Sequence, residues 1–166
     1  SIYAAATAFV GATTYAGTTD GVHRSTDAGA SWIPSGLQGF GVGHMAATGT
    51  RLVAATEFGI LTSEDGQTWT PTYTLPLVGG LAVSGDGAVW AAAPTGLFRS
   101  PDGLSWPFEP TAFAGRMVED VAANGSTLLA LVEGNPFRSA DGGATWTAVP
   151  DGLGLPFASA LLASDG

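Results

Sequence analysis

Apolar positions in this chain come in short runs, each closed by Gly, Asp, Asn or Ser, and polar residues alternate through many of them. That spacing predicts β-strands joined by tight turns. The runs fall into four successive groups. The first group predicts strands over residues 2–7, 14–18, 22–25 and from 32 onward. The second predicts 44–48, 52–56, 60–63 and 69–73, and the third 80–84, 89–93, 97–100 and 106–108. The fourth predicts 119–123, 128–132, 136–139 and 146–149. A linker, PDGLGLP, follows, and residues 157–164 (FASALLAS) repeat the opening run once more before Asp165 and Gly166. The opening runs are rich in Ala, which is a poor strand former. Restricted space around the innermost strands is the expected reason.

One motif sets the phase of this repetition. It reads RSTDAGASW at 24–32, TSEDGQTW at 62–69, RSPDGLSW at 99–106 and RSADGGATW at 138–146, the middle two being one residue shorter. The motif tryptophans, Trp32, Trp69, Trp106 and Trp146, lie 37, 37 and 40 residues apart. A period near 40 with short strands and Gly-rich turns is the signature of propeller blades. The expected architecture is therefore all-β, with blades of four antiparallel strands and about four and a quarter repeats (1–38, 39–77, 78–115, 116–155 and 156–166). They are expected to form part of a larger ring.

The motif has the chemistry of a tight hairpin. A short carboxylate just after a strand accepts hydrogen bonds from the following backbone N–H groups. Gly takes the left-handed conformation of the reversal, and Ser or Thr hydroxyls satisfy what remains. Ser25, Asp27, Gly29 and Trp32 are thus assigned structural roles, as are Ser63, Asp65, Gly66 and Trp69. The same holds for Ser100, Asp102, Gly103 and Trp106, and for Ser139, Asp141, Gly143 and Trp146.

These four copies resemble the Asp-box, or BNR, repeat S-x-D-x-G-x-T-W. That repeat occurs in sialidases, sortilin-type receptors, some endoglucanases and photosystem II assembly factors. The resemblance implies that each box is the hairpin between the third and fourth strands of a propeller blade, away from any active site. It also favours an extracellular or cell-surface setting. It implies no single function, because the family mixes enzymes, receptors and assembly factors.

Composition narrows the partners. The 166 residues include 25 Gly, 10 Pro and no Cys, with 11% charged residues and a mean hydropathy of +0.27, which suits stacked sheets. No apolar run approaches the ~20 residues of a membrane helix. Five arginines against 14 acids give a net charge of −9, which disfavours nucleic acid and anionic membrane. Without Cys there is neither a disulfide framework nor thiolate chemistry. The chain opens at Ser1 without Met, as a mature, trimmed or excised form would.

Candidate chemistry is sparse. His23 occupies the slot filled by Leu61, Phe98 and Phe137 in the other repeats and reads as structural. Arg24, Arg99 and Arg138 recur with the box, which argues for a stabilising role that Thr62 shows to be dispensable. The residues the repeat does not require are His44, Arg116 and the adjacent acids Glu119 and Asp120, near or on innermost strands. Asp20, Glu57 and Glu133 join them, in corresponding loops between second and third strands. Together these seven form a candidate binding set at a channel mouth. Its acids can either bind a divalent cation such as Ca²⁺ or stand as ordinary solvated loop residues.

Two functions fit this pattern. The first is a non-catalytic module for binding a protein or glycan or for assembly, supported by the apolar inter-blade loops at 37–42, 75–78 and 153–157. Self-association through the terminal blades belongs to this reading, since an open arc exposes apolar blade faces. The second, drawn from the resemblance, is a piece of a glycoside hydrolase or sialidase-like enzyme. Against it, a sialidase-type site needs an arginine triad, a nucleophilic Tyr and a partner Glu. The Arg-Ile-Pro signature is absent, and the tyrosines are only Tyr3, Tyr15 and Tyr73. Glu119 and Asp120 alternate faces of one strand, a poor carboxylate pair for glycoside cleavage. No catalytic set and no EF-type, HExxH, GxSxG or P-loop pattern is present.

Overall fold

The computed structural model describes residues 4–107 and 110–149. The expected fifth-blade strand at 157–164 lies outside the described residues, as do Ile2, Phe108 and the apolar loop at 153–157. The described residues are all-β and form four meandering antiparallel sheets, here called blades. The first blade is β1 (Ala4–Val10), β2 (Thr13–Thr18), β3 (Gly21–Ser25) and β4 (Ile33–Pro34). The second is β5 (Val42–Thr48), β6 (Arg51–Thr56), β7 (Gly59–Ser63) and β8 (Thr70–Tyr73). The third has three strands, β9 (Gly80–Val83), β10 (Val89–Ala93) and β11 (Gly96–Ser100). The fourth is β12 (Val118–Asn124), β13 (Thr127–Val132), β14 (Asn135–Ser139) and β15 (Thr147–Ala148).

Among the described residues the third blade has three strands where four were expected. Residues 106 and 107 form no strand; Pro107, directly after the box Trp, has no N–H to donate to a ladder. Thr111 and Ala112 lie beside β11 instead. The Ala112 carbonyl accepts the Leu97 N–H at 2.8 Å, and the Leu97 carbonyl accepts the Thr111 N–H at 2.8 Å.

The Ala-rich first strands also differ from expectation. Ala4 and Ala5 are exposed, whereas Ala54 and Ala91 to Ala93 on second strands are fully buried. A second strand has a strand on either side and a sheet against its face, while a first strand is an edge. Space is tightest one strand further out than the composition suggests.

The described chain forms two compact units, one over Ser1–Val78 with Gly103–Ser105, the other over Gly79–Asp102 with Trp106–Gly166. In the first unit, blades one and two pack through Tyr15, Val22, Val42, Met45 and Leu52. In the second, blades three and four pack through Trp90, Leu97, Val121 and Leu128, with Phe113, Phe137 and Trp146 against them. Truncating one of these large buried side chains costs about 2–5 kcal/mol.

First strands share a further device. The register skips one residue at Ala5, Gly43 and Glu119 in β1, β5 and β12. Such a bulge re-aims the side chain of the extra residue.

Candidate functional site

The four box carboxylates bind their own hairpins. In the first blade, Asp27 accepts the Ser31 N–H at 2.9 Å and its hydroxyl at 2.5 Å, and Ser25 donates to Asp27 at 2.7 Å. The fourth blade repeats this with Asp141, Thr145 and Ser139 at 2.9, 2.6 and 2.7 Å. The Ser31 hydroxyl, then its N–H, then the Ser25 hydroxyl lower the Asp27 pKa to about 2. The Thr145 hydroxyl and N–H, then Ser139, lower Asp141 to about 2. Asp65 lies well below the usual carboxylate range, held by the N–H groups of Thr68 and Gln67. In the third blade Ser100 donates to Asp102 at 3.1 Å. Carboxylates satisfied in this way are poor proton acceptors at neutral pH.

The box tryptophans differ in their partners. In the long boxes the indole N–H closes on the same hairpin, Trp32 to the Gly29 carbonyl at 3.0 Å and Trp146 to Gly143 at 3.2 Å. In the shorter second box Trp69 donates to the Ser35 carbonyl of the first blade, at 3.3 Å. Ser35 in turn donates to the Gly66 carbonyl at 2.6 Å. The tryptophans are less enclosed than expected: Trp32 is 40% exposed, and Trp69, Trp106 and Trp146 are half-buried.

A fifth turn of the same chemistry escaped the sequence reading. Ser84 donates to Asp86 at 2.6 Å, Asp86 accepts the Ala88 N–H at 3.2 Å, and Trp90 donates to the Ser84 hydroxyl at 3.0 Å. Ser84, then Ala88 and Arg99, lower the Asp86 pKa to about 2. Arg99 pairs with Asp86 at 2.6 Å and lies over the Trp90 ring. The signal was present in the string SGDGAVW at 84–90, with Val in place of the Ser or Thr before Trp.

The seven candidate mouth residues divide between the units. In the second, Arg116 grips Glu133 through Nε and a terminal nitrogen at 3.1 and 3.0 Å. The Arg116 guanidinium also lies over Phe113 and Phe137, at 5.9 and 5.3 Å from the ring centres. Glu119, the bulge residue, accepts the Gly134 N–H at 3.0 Å, and its other oxygen is buried without a partner. Asp120 accepts the Val121 N–H at 2.8 Å.

In the first unit, Asp20 accepts the Gly39 N–H at 3.1 Å. His44 and Glu57 line a cavity of about 320 Å³ with the small bulge residues Ala5 and Gly43, Thr18, Thr56 and Leu77. The bulge residues lining this cavity, Ala5 and Gly43, are small, whereas the bulge residue of β12 is Glu119. Across the β6–β7 turn, Phe40, Phe58, Leu37, Leu61 and Pro71 line an apolar groove of about 220 Å³. Phe40 and Phe58 meet edge to face at 5.5 Å.

Register corrects one expectation. Thr18 pairs with Gly21, Thr56 with Gly59 and Val132 with Asn135, so Glu57 and Glu133 are equivalent. Asp20 falls one position later, matching Phe58, because the first blade places Thr19 at the acidic position. Among the described residues no three His, Asp or Glu side chains come together as a metal site needs, so these acids form no cation cage there.

No protein-family profile and no curated protein matches the sequence. Solved structures do match by fold. A GH74 xyloglucanase from Xanthomonas campestris is 18% identical with a TM-score of 0.64, over 85% of this chain and 28% of that one. YCF48 bound to a D1 peptide is 14% identical with a TM-score of 0.56, over 93% and 69%. PorZ, a bacterial surface component of the type-IX secretion system of Porphyromonas gingivalis, is 21% identical with a TM-score of 0.62, over 89% and 22%. The chain therefore spans well under two thirds of the xyloglucanase and of PorZ. The fold is that of β-propeller blades resembling the BNR/Asp-box type. Among the described residues no helix is long and apolar enough to cross a membrane.

Proposed function

We propose that this chain is a non-catalytic propeller module that binds a peptide segment of a protein partner and self-associates through its terminal blades. The observation that carries the reading is the exposed Phe40–Phe58 pair over its groove, 42% and 64% exposed. The one hydroxyl lining that groove, on Thr56, already donates to Gly59 and accepts from Phe58. The groove therefore offers a ligand apolar contact and no free hydrogen-bonding side chain, which suits an apolar peptide side chain. Four of the five mouth acids, Glu133, Glu119, Asp20 and Asp120, accept hydrogen bonds from Arg116, Gly134, Gly39 and Val121, which supports a structural use of those four. The peptide-bound state of YCF48 supports the reading by analogy of fold. The competing reading, a piece of a glycan-cleaving enzyme, draws on the xyloglucanase likeness, which carries fold alone.

The test is selection from a phage-displayed random peptide library beside a glycan array, with wild type and Phe58→Ser. Peptides with an apolar anchor should be enriched by wild type and lost with the variant. Glycan binding without peptide selection would refute the proposal.

A further inference from the structure

The cavity of about 320 Å³ in the first unit differs in kind from the aromatic groove beside it. Its wall includes Val42 and Ala55, both buried, and Leu77 and Val78 from the loop after β8. No Phe, Tyr or Trp lines it. The Thr18 and Thr56 hydroxyls, which also face it, donate within their own turns to the Gly21 and Gly59 carbonyls. Its volume lies at the small end of the roughly 300–1,000 Å³ of ligand pockets, the size for one side chain.

Glu57 supplies the charge at this cavity. It is exposed and makes no hydrogen bond or ion pair among the described residues, whereas Glu64 holds Arg51, Asp86 holds Arg99 and Glu133 holds Arg116. An aliphatic wall ending at a free carboxylate suits a side chain with a long apolar stem and a cationic tip. The stem lies along the wall and the tip stays in water beside the acid. Arginine has no special advantage here. The Arg116 guanidinium lies over Phe113 and Phe137, and this cavity offers no such ring for a planar cation to stack on.

We infer that this cavity is a subsite for a lysine side chain of the partner, its methylenes against Val42, Ala55, Leu77 and Val78 and its ammonium at Glu57. This rests on the peptide-binding reading and adds a second specificity to it. Thr56 lines both the cavity and the groove, Glu57 only the cavity and Phe58 only the groove. Consecutive side chains of an extended peptide point to opposite sides, so a lysine beside an apolar anchor reaches both. The net charge of −9 favours such a cationic segment at long range.

The experiment is an NMR titration with N-acetyl-Phe-Lys-amide and with the same peptide acetylated on its lysine, which keeps the stem and removes the charge. The lysine peptide should shift the amides of residues 41–44 and 55–58 and bind about threefold more tightly, the scale of an exposed ion pair. Glu57→Gln should abolish that difference and leave the acetylated peptide unaffected. A Cβ on Gly43 would meet nothing within 4 Å, so Gly43→Leu places a side chain at the cavity without displacing the core. It should remove the lysine preference while the amides of Phe58 and Leu61 still respond. Equal affinity for the two peptides, a preference that survives Glu57→Gln, or tighter binding of the arginine peptide overturns the inference and leaves peptide binding standing. If no peptide shifts an amide, the peptide-binding reading falls with it.

Discussion

The indole of Trp90 lies so close over Gly143 that a Cβ there would meet the Trp90 ring, its Cζ2 at 2.6 Å. Tyr15 covers Gly66 in the same way, with its Cζ at 2.8 Å from a Cβ built there. In both units a ring on the second strand of one blade seats on the box glycine of the next. The glycine serves the hairpin and the blade contact at once.

Gly143 and Gly29 separate these two duties. Both have positive φ, 90° and 89°, so replacement by Ala strains either backbone. Only Gly143 also faces a neighbouring ring, since a Cβ on Gly29 would meet only Trp32, at 3.8 Å. Gly143→Ala is expected to lose about 1–3 kcal/mol more than Gly29→Ala, the range for overpacking. Equal losses in urea denaturation would show that hairpin strain is the whole effect.

Trp146→Ala should cost about 2–4 kcal/mol, because the ring packs on Trp90 and Phe113 at 6.3 and 5.2 Å. Trp32→Ala should cost less, its ring being 40% exposed. Asp141→Ala should also lower the melting temperature. None of the three should remove peptide binding selectively; a variant of wild-type stability that no longer binds would contradict the structural role of the box.

Acid should unfold the protein through the turn carboxylates. Asp27, Asp86 and Asp141 fall from 3.8 to about 2 in the folded state, so folding holds them ionised. Their contribution is complete above about pH 4 and drains away as the pH falls towards 2. Thermal unfolding from pH 5 to pH 2 should show a steep fall in melting temperature in that window. Asp86→Asn should flatten it, and a flat wild-type profile would refute the assignment.

Purified protein should not hydrolyse sialosides, xyloglucan or β-glucans. Turnover that disappears in Glu119→Gln or Asp120→Asn would establish catalysis instead.

Self-association should raise the light-scattering mass above the 16.6 kDa of one chain as concentration enters the micromolar range. Deleting residues 157–166 should weaken it. A monomer indifferent to that deletion would remove the assembly half of the proposal.

Much of this was legible from the sequence because the box is local chemistry. Ser25, Asp27 and Ser31 satisfy one another within a few residues, so their spacing alone specifies the hairpin. The Tyr15–Gly66 and Trp90–Gly143 contacts were not legible, since a single aromatic in a strand gives no sign of which distant glycine it covers. That residues 106 and 107 form no strand was readable from Pro107, which has no N–H for a ladder. The Glu57 cavity is lined by the bulge residues Ala5 and Gly43, and a bulge leaves no mark in a period of apolar residues.

The second box also bears on how far a blade stands alone. The first blade completes its indole hydrogen bond with its own atoms, whereas Trp69 must find the carbonyl of Ser35. The bond that closes the second hairpin on its indole exists only with the first blade in place, so the two blades depend on each other where the long boxes are self-sufficient.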